Sequence, residues 1–312
     1  MKTPKIAVIG SINMDLVTTA ERFPKPGETL LGSDFRQFMG GKGANQAVAA
    51  ARLGAEVALI GAVGADDFGQ ALLDNLQREG VDSGAVSIIY DRPSGMANIT
   101  LAEEDNHIIV ISGANFALTP EHIRKEEARI ADADVVMAQL ETPVETVTEA
   151  ARLAKKYGKP FILNPAPAQK LPQDLLDLTD ILTPNAHELA ISLGLPANLA
   201  PEAMLKQASC QVVMTQGADG VLFNDETGTQ HRQPSFPVTP VDTTGAGDTF
   251  NAALAVFLHL GLKQAVKQAC AAAAISVTRM GAQGGMPTKG ELQAFLAHRG
   301  RCANKTEPTV GI

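Results

Sequence analysis

The sequence is poor in aromatic residues, cysteine and basic charge, and each shortage excludes a class of function. It has no tryptophan, two tyrosines (Tyr90 and Tyr157) and 4% aromatic residues, so extended stacking platforms for nucleobases are not expected. Its three cysteines, Cys210, Cys270 and Cys302, are too few and too widely spaced for a disulfide framework or a zinc site, which favours a reducing cytoplasm. With 26 basic against 34 acidic residues the net charge is −8, and no nucleic-acid surface is predicted.

Long apolar segments are also missing. No run reaches the ~18 apolar residues that a membrane span needs, and Met1 to Pro4 leads directly into an apolar strand without the hydrophobic core of a secretion signal. We therefore expect neither membrane association nor export. At 312 residues and 45% hydrophobic composition, the chain can bury one large α/β core with an appendage, or two modest domains.

Short apolar strands alternate with amphipathic helices along most of the chain. Strands are predicted at Ile6–Ile9, Val57–Ile60, Val135–Met137, Phe161–Leu163, Ile181–Leu182 and Val212–Thr215. Helices are predicted at Ala44–Leu53, Asp67–Glu79, Gln264–Arg279 and Lys289–His298. Thr142 and Glu145 have the spacing of a capping box that opens a further helix ending before Gly158. The alternation predicts an α/β fold with a mostly parallel sheet covered by helices on both faces.

Two segments, at about 14–39 and 94–113, interrupt this alternation. The first alternates polar and apolar residues around Pro24, Pro26 and Gly27, and the second has the pattern of a hairpin that turns at residues 103–106. Because neither contains a helical pattern, we predict a small antiparallel β-sheet that projects from the core as a lid. Core and lid would form one domain over residues 1–300, followed by a polar C-terminal tail at 301–312.

The nonapeptide from Asp242 to Phe250 combines two glycines with a carboxylate at the start of an apolar helix. Because Gly245 and Gly247 lack a Cβ, the backbone N–H groups of the turn can converge on an anion such as a phosphate. Asp248 would then lie beside a bound phosphoryl group, where it can remove a proton from an incoming hydroxyl. An Asp that only caps the helix remains the alternative.

A second glycine cluster, Gly40-Gly41-Lys42-Gly43-Ala44-Asn45-Gln46, precedes an alanine-rich helix. It is not a Walker A loop, because Gly43 stands where that loop needs Ser or Thr, and it lacks the third glycine of a dinucleotide fingerprint. A tight turn with Asn45 beside it suits a neutral polyhydroxyl ligand. Close packing of the helix is the alternative.

Polar residues follow three of the predicted strands. Asn13 and Asp15 follow the first strand and Glu141 follows another, at the edge where an open parallel sheet binds ligands. For the two acids, a role in a turn or at a helix start is the alternative. Asn185 and Glu188 follow a third strand, where they could hold Mg²⁺ through water or form an ordinary helix N-terminus.

In order and spacing, these motifs resemble the ribokinase and phosphofructokinase-B family of carbohydrate kinases, from Lys5 to about Arg299. The glycine cluster resembles the first signature of the family and the nonapeptide resembles the second. Further similar motifs are Asn13-Met14-Asp15, Gln139-Leu140-Glu141, Asn164-Pro165-Ala166-Pro167 and Thr183-Pro184-Asn185. The resemblance implies a three-layer α/β sandwich with a β lid. It also implies ATP-dependent phosphorylation of D-ribose at its primary 5-hydroxyl, giving D-ribose 5-phosphate and ADP.

The resemblance further implies roles for individual residues. Asp248 would be the catalytic base, with Gly245, Ala246 and Gly247 as the anion hole. The sugar would be bound by Asn13, Met14, Asp15, Gly41, Lys42, Gly43, Ala44, Asn45, Glu141 and Asp248. ATP would be bound by Asn185, Thr215, Gln216, Gly217, Ala218, Asp219, Gly220, Gly247 and Asp248, with Cys270 where the family has an adenine-side histidine.

Cofactors and partners are implied in the same way. Mg²⁺ would be held through water near Glu188. A monovalent cation, K⁺, would be held by Asp242, Thr244, Ser276, Arg279, Gly281 and Gly285, the last of which departs from the serine common in the family. D-ribose and ATP would be the small-molecule partners, and a second copy of the chain would bind through the lid. Another furanose or a nucleoside as acceptor, or a non-catalytic sugar-binding regulator on this fold, remain the alternatives.

Overall fold

The computed structural model describes residues 2–103 and 105–303, and the strands in this part of the chain form two sheets. In chain order the strands are β1 (Lys5–Ile9), β2 (Asn13–Thr19), β3 (Asp34–Gly40), β4 (Glu56–Gly64), β5 (Val81–Ile89), β6 (Gly95–Ala102), β7 (Asp105–Ile111), β8 (Val135–Ala138), β9 (Phe161–Leu163), β10 (Ile181–Leu182), β11 (Gln211–Thr215), β12 (Val221–Asn224) and β13 (Gln230–Gln233). The larger sheet has the order β13-β12-β11-β10-β9-β8-β1-β4-β5. All neighbours pair in parallel except β11 with β12 and β12 with β13, so the predicted mostly parallel sheet is confirmed.

Helices cover both faces of the larger sheet. They are α1 (Lys42–Arg52), α2 (Asp67–Arg78), α3 (Pro120–Lys125), α4 (Glu127–Asp132), α5 (Val144–Lys156), α6 (Gln173–Leu178), α7 (Ala186–Leu193), α8 (Pro201–Leu205), α9 (Ala246–Phe257), α10 (Leu262–Ser276), α11 (Ala282–Gly285) and α12 (Lys289–Ala303). Successive side chains of β1 point to opposite faces. Ile6 and Val8 belong to a core with residues of α1, α9 and α10, whereas Ala7 and Ile9 belong to a second core with residues of α5 and α7. The three-layer arrangement is therefore confirmed.

The predicted capping box of α5 is wrong. The helix begins at Val144 after Pro143, and no side chain caps it. Thr142 lies one residue too far upstream to reach the N–H groups of the first turn. Its buried Oγ1 has no hydrogen-bond partner within the described part of the chain.

Other elements were not predicted or have different bounds. The edge strands β5 and β13 carry many polar residues, which hides their periodicity, and β12, between β11 and β13, is only four residues long. Helix α12 continues to Ala303 and so includes the first residues of the predicted tail, while residues 304–312 lie outside the described residues. Across residues 2–103 and 105–303, no helix combines the length and the apolar character of a membrane span.

The smaller sheet has the order β3-β2-β6-β7 and is formed by the two segments predicted as a lid. β6 and β7 form the predicted hairpin, and β2 pairs antiparallel with β3. The two central strands, β2 and β6, pair in parallel, because the chain passes through the larger sheet between them. Asn13, the first residue of β2, pairs with both Gly40 and Gly95. The strands of the lid therefore join the body of the protein around Asn13.

Candidate active site

The site lies where the order of the larger sheet reverses, beyond the carboxyl ends of β1 and β8. From β1 the chain builds the sheet outward in two directions, through β4 on one side and β8 on the other, and such a switch point forms a crevice for ligands. Ser11 follows β1 and Glu141 follows β8, and the Ser11 hydroxyl donates to Glu141 Oε2 at 2.5 Å. The same Oε2 accepts the Lys42 backbone N–H at 3.1 Å. Glu141 thus ties the first glycine cluster to the sheet edge. Ser11 was not predicted as a site residue.

The first glycine cluster requires close backbone approach. Gly41 has φ 88°, and a Cβ there would lie 2.6 Å from the backbone N of Asn13. This contact places the N-terminus of α1 against the start of the lid. The predicted ligand-binding and packing interpretations of the cluster are therefore both compatible with its geometry.

The predicted sugar-binding residues separate into two groups. The polar side chains of Asn13, Asp15, Lys42, Asn45 and Glu141 lie around the crevice, as their hydrogen bonds and mutual charge effects indicate. Met14 and Ala44 are buried in the hydrophobic core, and Gly41 and Gly43 are buried as well. Members of this second group can offer only backbone atoms to a ligand.

Asp248 is held by two amides of α1. Its Oδ2 accepts from Asn45 Nδ2 at 3.0 Å and its Oδ1 accepts from Gln46 Nε2 at 3.0 Å. The cap of α9 is Gly245, and Asp248 is the third helical residue, so the alternative in which Asp248 caps the helix is wrong. Its side chain faces α1 instead.

Gln46 was not predicted as a site residue, although it closes the first glycine motif. Its Oε1 accepts from Gln139 Nε2 at 2.7 Å, so its Nε2 must face Asp248. The sequence shows only a glutamine beside an alanine-rich run. That its amide is fully buried, and so needs polar partners, is visible only in the structure.

The crevice concentrates carboxylates around one lysine. Burial, with added repulsion from Glu141 and Asp248, raises the pKa of Asp15 to about 7. Burial also raises the pKa of Asp248, against the opposing effects of Lys42 and the two amides. For Lys42, burial is outweighed by the charges of Asp248, Glu141, Glu188 and Asp15, and its pKa is raised. Lys42 is therefore charged at neutral pH.

The anion-binding turn is open toward the crevice. Gly245 has φ 76° and a Cβ there would lie 2.8 Å from the Ala282 Cβ, so only glycine fits this turn. Next to it, a Cβ on Gly247 would meet no atom within 4 Å. Space is therefore open beside the first N–H groups of α9 (the anion cradle), where an anion could bind, although the Ala246 N–H already donates to the Thr243 carbonyl oxygen at 3.2 Å.

The residues predicted to bind ATP come from adjacent loops. Asn185 and Glu188 form a reciprocal capping box, with Glu188 N–H donating to Asn185 Oδ1 and Asn185 N–H donating to Glu188 Oε2, both at 2.8 Å. Asn185 forms a bridge with Thr215, which begins the loop to Gly220. Cys270 lies on α10, where burial raises the pKa of its thiol to about 12. It is therefore a neutral, largely buried group.

The residues predicted to bind K⁺ surround a second turn. Asp242 accepts the N–H groups of Thr244 at 2.9 Å and Gly281 at 2.8 Å. Although burial opposes them, these bonds hold the pKa of Asp242 below its usual value, so the group stays ionised. A Cβ on Gly285 would lie 2.2 Å from the Ser276 carbonyl oxygen. Arg279 points outward to Glu291 in an exposed ion pair.

Comparison with known proteins identifies the protein family of the chain. The sequence pattern of the pfkB family carbohydrate kinases matches residues 3–289, and the chain belongs to this family. Ribokinase of Bacillus subtilis is 46% identical over 299 residues, covering 94% of this chain and 99% of that protein. Deoxyribokinase of Salmonella typhi is 36% identical over 302 residues, covering 94% of this chain and 98% of that protein.

Solved structures agree with this assignment. Arabidopsis thaliana ribokinase, solved with ribose and ATP, has a TM-score of 0.87 at 32% identity and covers 95% of this chain and 99% of its own. The family inferred from the motifs and the ribokinase-like fold are therefore confirmed.

We predict that Asp15→Asn stabilises the protein in a pH-dependent way. The pKa of Asp15 in the folded protein, about 7, exceeds the usual ~3.9. Ionisation of Asp15 therefore destabilises the folded state, and this free-energy cost is absent below the usual pKa and complete above the folded pKa. The free energy of unfolding should therefore rise in the variant, with a gain that grows between about pH 4 and pH 7 and reaches roughly 1 to 3 kcal/mol, reduced by the partial exposure of Asp15.

Denaturant unfolding of both proteins across this range measures the gain. The exposed Asp67→Asn, in the first turn of α2, serves as the control and should show no such trend. A gain for Asp15→Asn that does not change with pH would contradict the prediction.

Proposed function

We propose that the protein transfers the γ-phosphoryl group of ATP to the primary 5-hydroxyl of D-ribose, giving D-ribose 5-phosphate and ADP. The observation that carries the proposal is the buried Asp248 carboxylate, held between a polyhydroxyl-binding crevice and an open anion cradle. The 46% identity with a ribokinase, over 94% of the chain, supports the same proposal.

The reaction divides between two parts of the site. Asp248 accepts the proton of the 5-hydroxyl while that oxygen bonds to the γ-phosphorus, and the bond from phosphorus to the β,γ-bridging oxygen breaks as ADP leaves. The N–H groups of Gly245, Ala246 and Gly247 bind the phosphoryl oxygens at the positive end of α9. Because burial raises the pKa of Asp248, the group is a stronger base than an exposed aspartate.

The other hydroxyls of the sugar bind to the crevice. Asn13, Asp15, Asn45 and Glu141 offer hydrogen-bond partners, with Lys42 and the backbone of residues 41–44 beside them. This set matches the several hydroxyls of one sugar ring. A nucleobase would need aromatic side chains on which to stack. In β3, the lid strand next to the first glycine cluster, Phe35 and Phe38 are the aromatic residues, so ribose fits this site better than a nucleoside.

ATP binds across the loops at Asn185 and at residues 215–220, with Cys270 on the adenine side. Within the described residues no three acidic, histidine or cysteine side chains cluster as metal ligands. Mg²⁺ would therefore be held mainly by the ATP phosphates and by water near Glu188, and it would neutralise charge on the phosphate oxygens. Use of ATP and the free thiols of Cys210 and Cys270 favour a cytoplasmic location, which cell fractionation checks.

The acceptor is tested by ATP consumption with ribose, 2-deoxyribose, fructose and adenosine. We expect the highest kcat/KM for ribose, and Asp248→Ala should lower turnover by roughly two orders of magnitude or more, because general-base catalysis is lost. A nucleoside or 2-deoxyribose that exceeds ribose would overturn the substrate. Near wild-type turnover in a folded Asp248→Ala would overturn the base.

We also propose that K⁺ binds at Asp242, Thr244 and the backbone of Ser276, Arg279, Gly281 and Gly285, and activates the enzyme. The ionised Asp242 bonds to Gly281, and Ala282 packs on Gly245 of the anion cradle, so the two turns are mechanically joined. Turnover in K⁺ should exceed turnover in Na⁺ or in a bulky organic cation at matched ionic strength. Equal rates in all three would refute this proposal.

We further propose a homodimer formed through the lid. β7 is an edge strand that is exposed along its whole length, and it carries Ile108, Ile109, Val110 and Ile111 at 46% to 66% exposure. Such a strand is expected to be covered by a partner. Light scattering should give a dimer that Ile109→Glu dissociates, whereas a fully active wild-type monomer at high concentration would contradict the proposal.

A further inference from the structure

One buried amide beneath the crevice has no part in the reaction described above. Asn115 lies in the short 3₁₀ helix Gly113–Ala117 that follows β7, and its side chain is 1% exposed. It bonds to Ile12, which precedes β2, and to Asn13, the first residue of β2. Its Oδ1 accepts the Ile12 backbone N–H at 2.9 Å, and its Nδ2 donates to Asn13 Oδ1 at 2.7 Å.

These bonds fix the orientation of the Asn115 amide and, through it, that of the Asn13 amide. A backbone N–H can only donate, so the atom of Asn115 that faces Ile12 N–H must be the oxygen. The nitrogen of Asn115 must then face Asn13, and the oxygen of Asn13 must face Asn115. The Asn13 Nδ2 group is left to point elsewhere, and within the described ranges no protein atom accepts from it.

The free N–H donor of Asn13 lies on the same face of β2 as the carboxylate of Asp15, which can accept. Asn13 and Asp15 are two residues apart on β2, so their side chains lie on one face of the strand, while Met14 between them enters the core. A hydroxyl can accept one hydrogen bond and donate another. Together, the Asn13 amide N–H and the Asp15 carboxylate match a single hydroxyl in this way.

A third strand closes over the pair of asparagines. Gly95, the register partner of Asn13 on β6, leaves no space for a side chain, because a Cβ there would lie 2.2 Å from both Asn115 Nδ2 and Asn13 Oδ1. The bond between the two asparagines is thus enclosed by β2, by β6 and by the helix that follows β7.

We propose that Asn115 is a positioning residue that sets the hydrogen-bond polarity of the sugar site, by holding Asn13 with its N–H donors toward one sugar hydroxyl. The inference rests on the proposed function only for the identity of the sugar. If the donor group of Asn115 is replaced by an acceptor, the Asn13 amide should flip and direct its oxygen, in place of its N–H group, toward the ligand.

Asn115→Asp tests this with almost no change in volume. One carboxylate oxygen can still accept from Ile12 N–H, but the other faces Asn13 Oδ1 and loses the longer bond that Asn115 Nδ2 donates to the Ile12 carbonyl oxygen at 3.3 Å. The conflict with Asn13, the shorter contact, is relieved when the Asn13 amide flips. We expect KM for ribose to rise about 10-fold, as for the loss of one buried hydrogen bond. Because Asn13 makes no bond to Asp248, kcat should stay within about 3-fold and KM for ATP should not change.

A specificity measurement separates this role from a general loss of structure. Wild-type enzyme should discriminate against 2-deoxyribose, 3-deoxyribose and 1,4-anhydroribitol, each of which lacks one hydroxyl of ribose. Asn115→Asp should lose most of the discrimination against one of them, the analogue that lacks the hydroxyl bound by Asn13, and should retain the discrimination against the other two. The exposed Asn198→Asp is the matched control and should behave as wild type.

Gly95→Ala provides a second variant, in which the new methyl group separates the two asparagines. It should raise KM for ribose with the same loss of discrimination, while Gly290→Ala, which meets no atom within 4 Å, should not. In unmodified protein with labelled asparagine, added ribose should shift the Asn13 side-chain N–H resonances and leave those of Asn115 in place.

The inference would be overturned if folded Asn115→Asp kept the wild-type KM and discrimination. It would also be overturned if the Asn13 amide resonances did not shift when ribose is added. A wild-type enzyme that ignores ribose but phosphorylates another sugar would overturn the proposed substrate alone, and the same variants are then compared with that sugar.

Discussion

The two hydrogen bonds from Asn45 and Gln46 to the carboxylate of Asp248 determine how the site is assembled. A carboxylate that is 8% exposed is costly to ionise without donors, and both donors come from the first turns of α1. Helix α1 must therefore lie directly against α9. The small side chains Ala47 and Ala50 on α1 belong to the same core as those of α9, and Gly41 brings the start of α1 to the lid.

The crowding of carboxylates in the crevice lowers the stability of the fold. Asp15, Glu141 and Asp248 crowd around Lys42, and the raised pKa of Asp15 shows that the folded protein would be more stable if that group were neutral. Such groups are common in active sites because a ligand, and not the protein, completes their hydrogen bonds. The hydroxyls of a bound sugar would supply donors to these carboxylates.

The sequence allowed the local parts of this account to be predicted, but not those that depend on contacts distant along the chain. The turn at Gly245 and the helix that carries Asp248 could be predicted because they are adjacent in sequence. Gln46 and Asn115 could not, because their partners are 202 and 102 residues away. The capping box at Thr142 failed for the opposite reason, since a local motif was present but Pro143 shifted the helix start past it.

The most direct test of the central claim is the pH dependence of kcat at saturating sugar for wild type and Gln46→Leu. Gln46 donates to the ionised form of Asp248 and opposes the rise of its pKa. Its removal should shift the acidic limb of kcat to higher pH, while the exposed Gln70→Leu on α2 should leave that limb in place. Saturating sugar keeps the titration of Asp15 in the free enzyme out of the profile. An acidic limb that is the same in Gln46→Leu and wild type would contradict the assignment of Asp248 as a base tuned by α1.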